Sequence, residues 1–301
     1  MIYTLTFSPS IDYYLNVLDF KDGAINKSES EKIVIGGKGI NVSLVLKELG
    51  LESYIIGFKS GFTGNFFQEE LDKHNIKNTL IPASGYTRIN VKINSTKETA
   101  INTNSLYITN DGLCSLYNIL EKLAKEDILI ISGNVNNVNI EEVYKHISSA
   151  ANVVLDIDYN ILPLLKYKPL LIKPNRNELE RLFSIKITKA EDVVKCSQTL
   201  KDKGAKNVIV SLDKDGAILF DEYGNFYYNK GKKINVVSSV GAGDSLVAGF
   251  IYGYVNKFKM EESFELGIIC ATASCLTNGI PNKKLIDKVK ENKNEYMAWY
   301  R

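Results

Sequence analysis

Apolar residues recur along the chain with two different periods, and these periods predict its secondary structure. Strand-like segments are short β-branched and aromatic runs, whereas helix-like segments place apolar residues at i, i+3, i+4 and i+7. From residue 113 onward the two kinds alternate: residues 113–125 and a segment from 140 are predicted helices, and residues 127–132, 153–156 and 170–173 are predicted strands. Such alternation predicts an α/β fold, a doubly wound and mostly parallel sheet flanked by helices.

The first third of the chain departs from that rhythm. A first strand at residues 2–7 is followed by short strands at 13–17 and 31–35, and strictly alternating residues at 87–94 are followed by a strand at 98–102. Consecutive strands without a crossover helix between them form hairpins. We therefore expect two hairpins, within about residues 12–35 and 86–107, that form a small second sheet.

Composition and charge narrow the classes of function. A chain of 301 residues suits one large domain, with or without a small appendage, and 37 Lys+Arg nearly balance 35 Asp+Glu. Without a basic block, a nucleic-acid partner is not expected, and small molecules are favoured. No apolar run is long enough to span a bilayer, and the N-terminal residues do not resemble a signal peptide. The sequence therefore predicts a cytoplasmic enzyme with no membrane partner.

The cysteines and histidines give little indication of a metal site. Cys114, Cys196, Cys270 and Cys275 have no Cys-x-x-Cys spacing, so we predict four reduced thiols in the core. Two histidines are too few for a zinc cluster.

The loop before residue 247 has the composition of an anion-binding site. A β-branched run ends at two serines, Gly241, Ala242 and Gly243 follow, and apolar residues at 247, 250, 251 and 254 then have helical spacing. Backbone N–H groups at a glycine-rich helix start bind phosphoryl oxygens. Asp244 at this position is suited to accept a proton from an attacking hydroxyl, although an aspartate there could instead only cap the helix.

A second glycine-rich stretch, residues 36–43, also precedes a helix. Gly36 and Gly37 allow close approach of the backbone, Lys38 adds a positive charge, and Asn41 lies in the first helical turn. The order of residues fits neither a P-loop nor Gly-x-Gly-x-x-Gly. The alternative is a flexible surface turn with a solvated lysine.

Three further groups of polar residues are candidates. Asp12 and Ser132 lie at the ends of predicted strands, where open α/β sheets bind ligands, although Asp12 could equally form a turn. Arg88 and Asn90 belong to the polar face of one strand, which could equally be an edge strand protected by charge. Asn175 and Glu178 are three residues apart and suit water-mediated Mg²⁺ binding, but the same pair can form a capping box.

These motifs together resemble those of the ribokinase/phosphofructokinase-B carbohydrate kinases. Gly-Gly-Lys-Gly-x-Asn-x-Ser at 36–43 and Val-Gly-Ala-Gly-Asp-Ser at 240–245 are similar to the two signatures of that family, in the same order. Thr-Arg-x-Asn-x-Lys at 87–92 and Lys-Pro-Asn-x-x-Glu at 173–178 are similar to two further family motifs. The resemblance implies a single ribokinase-like kinase domain over residues 1–301, with the small β-sheet as a lid.

The resemblance also implies a role for each candidate residue. Catalysis would use Asp244 as base and an anion hole at Gly241, Ala242 and Gly243. The residues implied in substrate binding are Asp12, Gly36, Gly37, Lys38, Asn41, Arg88, Asn90 and Ser132. Those implied in binding ATP are Lys173, Asn175, Glu178, Ser211, Gly216, Gly241, Gly243 and Asn278, with Mg²⁺ at Asn175 and Glu178. Asp213 is a departure, since family members usually carry glycine there.

Within the family, the members that convert D-fructose 1-phosphate to fructose 1,6-bisphosphate are most similar. Kinases of tagatose 6-phosphate are the alternative, and a non-catalytic sugar-phosphate sensor on the same fold is a second one. A homodimer through the lid also stays open. A dinucleotide-dependent oxidoreductase is disfavoured, because the first strand is followed by Ser-Pro-Ser at 8–10 rather than by a glycine fingerprint.

Overall fold

The computed structural model describes residues 1–135, 137–148 and 151–300. The strands of its main sheet are β1 (Ile2–Thr6), β4 (Tyr54–Lys59), β5 (Lys77–Pro82), β8 (Ile128–Gly133), β9 (Asn152–Ile157), β10 (Leu171–Ile172), β11 (Asn207–Ser211), β12 (Ala217–Phe220), β13 (Phe226–Gly231) and β14 (Met297–Tyr300). Their spatial order is β14-β13-β12-β11-β10-β9-β8-β1-β4-β5. The pairs from β5 to β11 are parallel, and β12, β13 and β14 add antiparallel pairs at one edge.

Helices cover both faces of this sheet. They are α1 (Lys38–Glu48), α2 (Gly61–Lys73), α3 (Asn110–Leu120), α4 (Ile140–Lys145), α5 (Arg176–Phe183), α6 (Ala190–Asp202), α7 (Ala242–Val255), α8 (Met260–Cys275), α9 (Lys283–Glu291) and α10 (Lys293–Tyr296). Helices α1, α7, α8 and α9 share one apolar core with the sheet, and α3, α4, α5 and α6 share the other. The predicted doubly wound α/β architecture is therefore confirmed.

The two hairpins expected from the sequence form a separate sheet. Its strands are β2 (Ser10–Asn16), β3 (Ser30–Gly36), β6 (Arg88–Asn94) and β7 (Thr99–Asn102), in the order β3-β2-β6-β7. The central pair β2–β6 is parallel and the outer pairs are antiparallel. Because neighbours in register share a face, Asp12 lies beside Asn90 on one face, and Tyr13 beside Val91 on the other.

The direction of the chain across the main sheet fixes where a ligand can bind. From the central strand β1, successive parallel strands add on one side as β4 and β5, and on the other side as β8 to β11. The carboxyl ends of β1 and β8 therefore flank a topological switch point, where open α/β sheets form a crevice. Helix α1 begins there, packed so closely on β1 that an added Cβ at Gly39 would overlap Thr6.

Some expectations were wrong or incomplete. Cys114 is exposed rather than in the core, whereas Cys196 and Cys270 are buried, and all four cysteines are free thiols. Val236 and Val237, for which no element was predicted, lie in an exposed loop before the glycine-rich turn. The pattern also gave no indication of α6, β13 or β14. None of the described helices is both long and apolar enough to cross a membrane.

Candidate active site

Helix α7 begins with the glycine-rich turn that the sequence singled out. Gly241 is its N-cap residue with φ +81°, a left-handed conformation that favours glycine. The Ala242 N–H donates to the Ser239 carbonyl at 3.3 Å, whereas those of Gly241 and Gly243 have no backbone acceptor in the described part of the chain. The two glycines, rather than all three residues, therefore offer N–H groups to an anion.

Asp244 lies in the first turn of α7 and is 5% exposed. Its Oδ2 accepts a hydrogen bond of 2.7 Å from Asn41 Nδ2 on α1. Burial and the neighbouring Asp156 raise the pKa of Asp244 to about 6, although the Asn41 hydrogen bond and the ammonium groups of Lys38 and Lys173 oppose the rise. A carboxylate with this pKa is ionised at neutral pH yet basic enough to take a proton from a hydroxyl.

Two lysines lie beside this carboxylate, joined by an aspartate that the sequence analysis did not select. Asp156 is the last residue but one of β9, and its Oδ1 forms ion pairs with Lys173 Nζ at 3.2 Å and with Lys38 Nζ at 3.3 Å. Burial would raise the pKa of Asp156, but the two ammonium groups outweigh it and lower that pKa. An acidic residue at the carboxyl end of a predicted buried strand was the available signal, and it is similar to the one that selected Asp12.

The lysines reach different parts of the site. An added Cβ on Gly243 would lie 3.1 Å from Lys173 Nζ, so this ammonium is next to the glycine turn. Lys38 is the first residue of α1, after Gly37 at φ +125°, and lies beside Gly133. Burial lowers the pKa of Lys38, but Asp156, Asp244 and Glu178 together raise it above its ordinary value. Both side chains therefore lie where they can meet phosphoryl oxygens.

The second sheet contributes a polar cluster centred on Asp12. Its Oδ1 accepts from Asn90 Nδ2 at 2.7 Å and from Ser10 Oγ at 3.1 Å. Gly36 leaves the space for this carboxylate, because an added Cβ there would lie 2.8 Å from Asp12 Oδ2. Ser10 stands opposite Arg88 in the sheet register. The predicted substrate residues Asp12, Gly36, Arg88 and Asn90 are thus brought together by one sheet.

Several polar atoms near this cleft are buried without a hydrogen-bond partner in the described residues, and two of them belong to predicted substrate residues that no other group holds. Arg88 Nε is one, and burial lowers the pKa of this guanidinium although Asp12 opposes the shift. Ser132 Oγ, at the end of β8, is the other. Buried polar atoms are nearly always hydrogen-bonded, so both fit groups that a ligand would satisfy.

On the predicted nucleotide side, Asn175 and Glu178 form the capping box that was the alternative interpretation. Asn175 Oδ1 accepts from the Glu178 N–H at 2.9 Å, and Glu178 Oε2 accepts from the Asn175 N–H at 2.8 Å. Glu178 Oε1 has no hydrogen bond within the described residues. The cap therefore leaves one carboxylate oxygen that suits a water ligand of Mg²⁺. The described residues contain no cluster of three or more His, Cys, Asp or Glu side chains that could hold a metal.

The turn after β11 lies next to this helix start. Ser211 forms an isolated bridge with Asn175, and Gly216 at φ +93° is so close to Asn229 that no side chain fits. Asp213, the departure from the usual glycine, has φ +52°, so a non-glycine residue occupies a left-handed position. Sequence reasoning missed Arg176, whose Nη2 is 2.6 Å from Asp215 Oδ2 and ties the turn to α5.

Asn278 is the predicted residue that the structure connects least to the rest. It lies exposed in the loop after α8. Ile280 of the same loop reaches the glycine turn, its Cδ1 lying 3.5 Å from an added Cβ at Gly241. The loop therefore borders the site, while Asn278 itself contacts none of the other candidate residues through a hydrogen bond in the described structure.

Comparison with known proteins finds related sequences and structures along almost the whole chain. The sequence model of the pfkB family of carbohydrate kinases matches residues 5–284. The chain is 40% identical to a 1-phosphofructokinase of Borreliella burgdorferi over 286 residues, which are 93% of each chain. It is 33% identical to a D-tagatose-1-phosphate kinase of Bacillus licheniformis, over 83% of this chain and 84% of that one. Phosphofructokinase-2 from Escherichia coli, solved in complex with substrates and products, superposes with a TM-score of 0.90 at 25% identity, covering 97% of this chain and 98% of the other.

Proposed function

The chain belongs to the pfkB family of carbohydrate kinases, and we propose that it phosphorylates D-fructose 1-phosphate to fructose 1,6-bisphosphate with ATP. The observation that carries this proposal is the buried Asp244 at the start of α7, beside two glycine N–H groups and two lysine ammonium groups. A proton acceptor, an anion hole and cations in one place are the parts that phosphoryl transfer requires.

In the proposed reaction, a sugar hydroxyl oxygen forms a bond to the γ-phosphorus of ATP while the bond to the β–γ bridging oxygen breaks. Asp244 takes the hydroxyl proton, and ADP leaves. The N–H groups of Gly241 and Gly243 stabilise the negative charge on the transferring oxygens, and the ammonium of Lys173 beside Gly243 adds to that stabilisation. Asn41 orients the carboxylate through its 2.7 Å hydrogen bond.

The cluster on the second sheet would bind the sugar phosphate. Arg88 and Lys38 provide the positive charge for the 1-phosphate, and Asp12 with Asn90 binds sugar hydroxyls. Gly37 and Ser132 complete this part of the site. We also propose that the chain acts as one kinase domain, in which the second sheet is the lid of the sugar site.

ATP would lie along the starts of α5 and α7 and the turn at Ser211 and Gly216. Two observations support this position for ATP. The Lys173 ammonium lies beside the glycine turn, and the backbone around Gly216 leaves no room for a side chain. Mg²⁺ would be held largely through water by Glu178, with Asn175 beside it, and it would neutralise charge on the phosphates. Such a kinase works where ATP is abundant, which supports the cytoplasm as its compartment.

The names of the relatives bear on the choice of sugar. The fructose and tagatose kinases reported above both act, by name, on a ketose 1-phosphate. We therefore infer that the phosphate lies on C1, and tagatose 1-phosphate joins tagatose 6-phosphate as an alternative substrate. Fructose and tagatose differ only in the configuration at C4, which a site can distinguish by about 1–3 kcal/mol through one hydrogen-bonded hydroxyl.

A coupled assay of ADP release tests the proposal. Fructose 1-phosphate, tagatose 1-phosphate, tagatose 6-phosphate, fructose 6-phosphate and fructose are compared at equal concentrations. We expect the highest kcat/KM with fructose 1-phosphate. A higher value with either tagatose phosphate would assign the chain to that sugar, and binding without turnover of any sugar phosphate would favour the non-catalytic sensor. Retention of Asp244 argues for the enzyme.

A homodimer through the second sheet is supported by the face that points away from Asp12. Ile33, Tyr13, Val91 and Ile101 form one row across its four strands by register, and the two ends of that row are 49% and 54% exposed. An apolar row of this kind suits a second copy of the sheet. Light scattering of the wild type and of Ile101→Lys tests it: a dimer that the substitution dissociates is expected, and a wild-type monomer would contradict it.

A further inference from the structure

Asp156 joins parts of the site that come from separate elements. It is 2% exposed near the end of β9. One of its two carboxylate oxygens, Oδ1, contacts both Lys38 at the start of α1 and Lys173 after β10. Lys173 is itself only 5% exposed. A buried carboxylate therefore fixes two ammonium groups at the carboxyl end of the sheet.

The surroundings of the two lysines show what this arrangement controls. Lys173 lies next to Gly243 in the anion-binding turn, and Lys38 belongs to the same helical turn as Asn41, which orients Asp244. We propose that Asp156 is a positioning residue for phosphoryl transfer, which fixes the Lys173 ammonium beside the glycine turn and the Lys38 ammonium at the start of α1, and offsets the effect of their positive charge on Asp244. This inference rests on the proposed function, because it assigns Asp156 a part in the same reaction.

The second oxygen of Asp156 argues against a purely structural ion pair. Oδ2 is buried and has no hydrogen-bond partner in the described part of the chain. Carboxylates that serve structure alone usually satisfy both oxygens, as Asp221 does in the turn after β12, where Oδ1 and Oδ2 both accept. Within the described part of the chain, the two lysines are therefore the partners of this carboxylate.

The charges that face Asp244 determine how variants should behave. From α1 it meets the Asn41 amide and the Lys38 ammonium, from β9 the Asp156 carboxylate, and from the end of β10 the Lys173 ammonium. Glu178 on α5 acts on Lys38. Removing the Asp156 charge leaves two cations that favour ionised Asp244, whereas removing the Lys173 charge has the opposite effect.

Two variants with opposite charge changes, Asp156→Asn and Lys173→Met, test the proposal. Asp221→Asn is the matched control, because it changes a buried carboxylate that lies away from the site. We expect Asp156→Asn to lower kcat about 10–100-fold and to move the acidic limb of its pH profile to lower pH. We expect Lys173→Met to lower kcat as well, but to move that limb to higher pH. Asp221→Asn should leave the limb where it is in the wild type.

A measurement without turnover separates this inference from the proposed function. The carboxyl ¹³C resonance of Asp244, identified by its loss in Asp244→Asn, is titrated in the ligand-free wild type, Asp156→Asn and Lys173→Met. Shifts in opposite directions support the proposal whether or not the wild type phosphorylates fructose 1-phosphate. Unchanged titrations, or shifts in one common direction, would overturn it. If Asp156→Asn does not fold, the Lys173→Met titration decides alone, and an unmoved midpoint refutes the proposal.

Discussion

Asp244→Asn should stabilise the protein while it abolishes most of the activity. The substitution preserves shape, and the Asn41 amide can still donate to the new side-chain oxygen, so packing around α7 should persist. What changes is charge. A buried carboxylate that must ionise at neutral pH costs the folded state free energy, and the amide removes that cost.

The raised pKa sets the size and the pH dependence of this effect. A rise from the ordinary 3.8 to about 6 corresponds to at most about 3 kcal/mol. Because the native carboxyl binds its proton more tightly than the unfolded one, the wild type loses stability as pH rises from about 4 through 6. Below pH 4 the group is protonated in both states, so the variant gains little there. At pH 7–8 its gain should be complete.

Thermal unfolding of the ligand-free protein measures the gain, and steady-state kinetics measures the loss. We expect Tm of Asp244→Asn to exceed that of the wild type by about 3–6 °C at pH 8 and by little at pH 4. The kcat of Asp244→Asn should be lower than that of the wild type by a factor of roughly 10²–10⁴, while substrate binding persists. The wild-type kcat/KM should decline below about pH 6, where Asp244 takes up a proton.

A matched variant distinguishes this reasoning from a general effect of the substitution. Asp221 is also buried, but its carboxylate accepts from the N–H groups of Tyr223 and Asn225, so Asp221→Asn should destabilise the fold by about 1–2 kcal/mol. Opposite signs at the two sites are expected. A less stable Asp244→Asn at pH 8, a gain independent of pH, or near-normal turnover would refute the assignment of Asp244 as a strained catalytic base.

Three further expectations concern the substrate and one turn. Arg88→Ala should lose about 1.5–3 kcal/mol in kcat/KM for the phosphosugar and far less for free fructose; equal losses would mean that Arg88 only shapes the second sheet. Asp213→Gly should raise the free energy of unfolding by about 1 kcal/mol, because the left-handed conformation at φ +52° favours glycine. An unchanged or lower free energy of unfolding in a denaturant titration would contradict the idea that Asp213 is strained. The kcat/KM for fructose 1-phosphate should exceed that for tagatose 6-phosphate at least roughly tenfold, and a ratio at or below one would reverse the choice of ketose.

The sequence was most informative where local pattern and local structure coincide. Alternation of strands and helices predicts the parallel sheet, and the absence of a crossover helix predicts the second sheet, because both follow from chain connectivity. The glycines before Asp244 likewise predict a helix start with open N–H groups. The edge strand β14 was missed, since it pairs with β13 about 70 residues earlier in the chain. Strand β13 pairs with β12 across a short turn, and its local pattern alone did not indicate it. Exposed Cys114 was placed in the core because cysteines are usually buried.

Asp156 shows why the site was only partly predictable. A lone aspartate after Val153, Val154 and Leu155 has no spacing signature, and its importance comes from Lys38 and Lys173, which are 118 residues before it and 17 after it in the chain. The pair Asn175 and Glu178 poses a different difficulty. One local pattern serves both a capping box and a cation ligand, and the structure shows the cap formed while leaving one Glu178 oxygen unused.

The segment from Gly36 to Asn41 links the two halves of the candidate site. At one end Gly36 lies against Asp12 of the second sheet, and at the other Asn41 holds Asp244 of α7, with Lys38 between them bound to Asp156. Most of this segment is the first turn of α1, which rises about 1.5 Å per residue and is rigid. The separation between the proposed hydroxyl-binding cluster and the proposed base is therefore set largely by backbone geometry. We therefore expect such a site to select a sugar phosphate by the distance between its phosphate and its reacting hydroxyl.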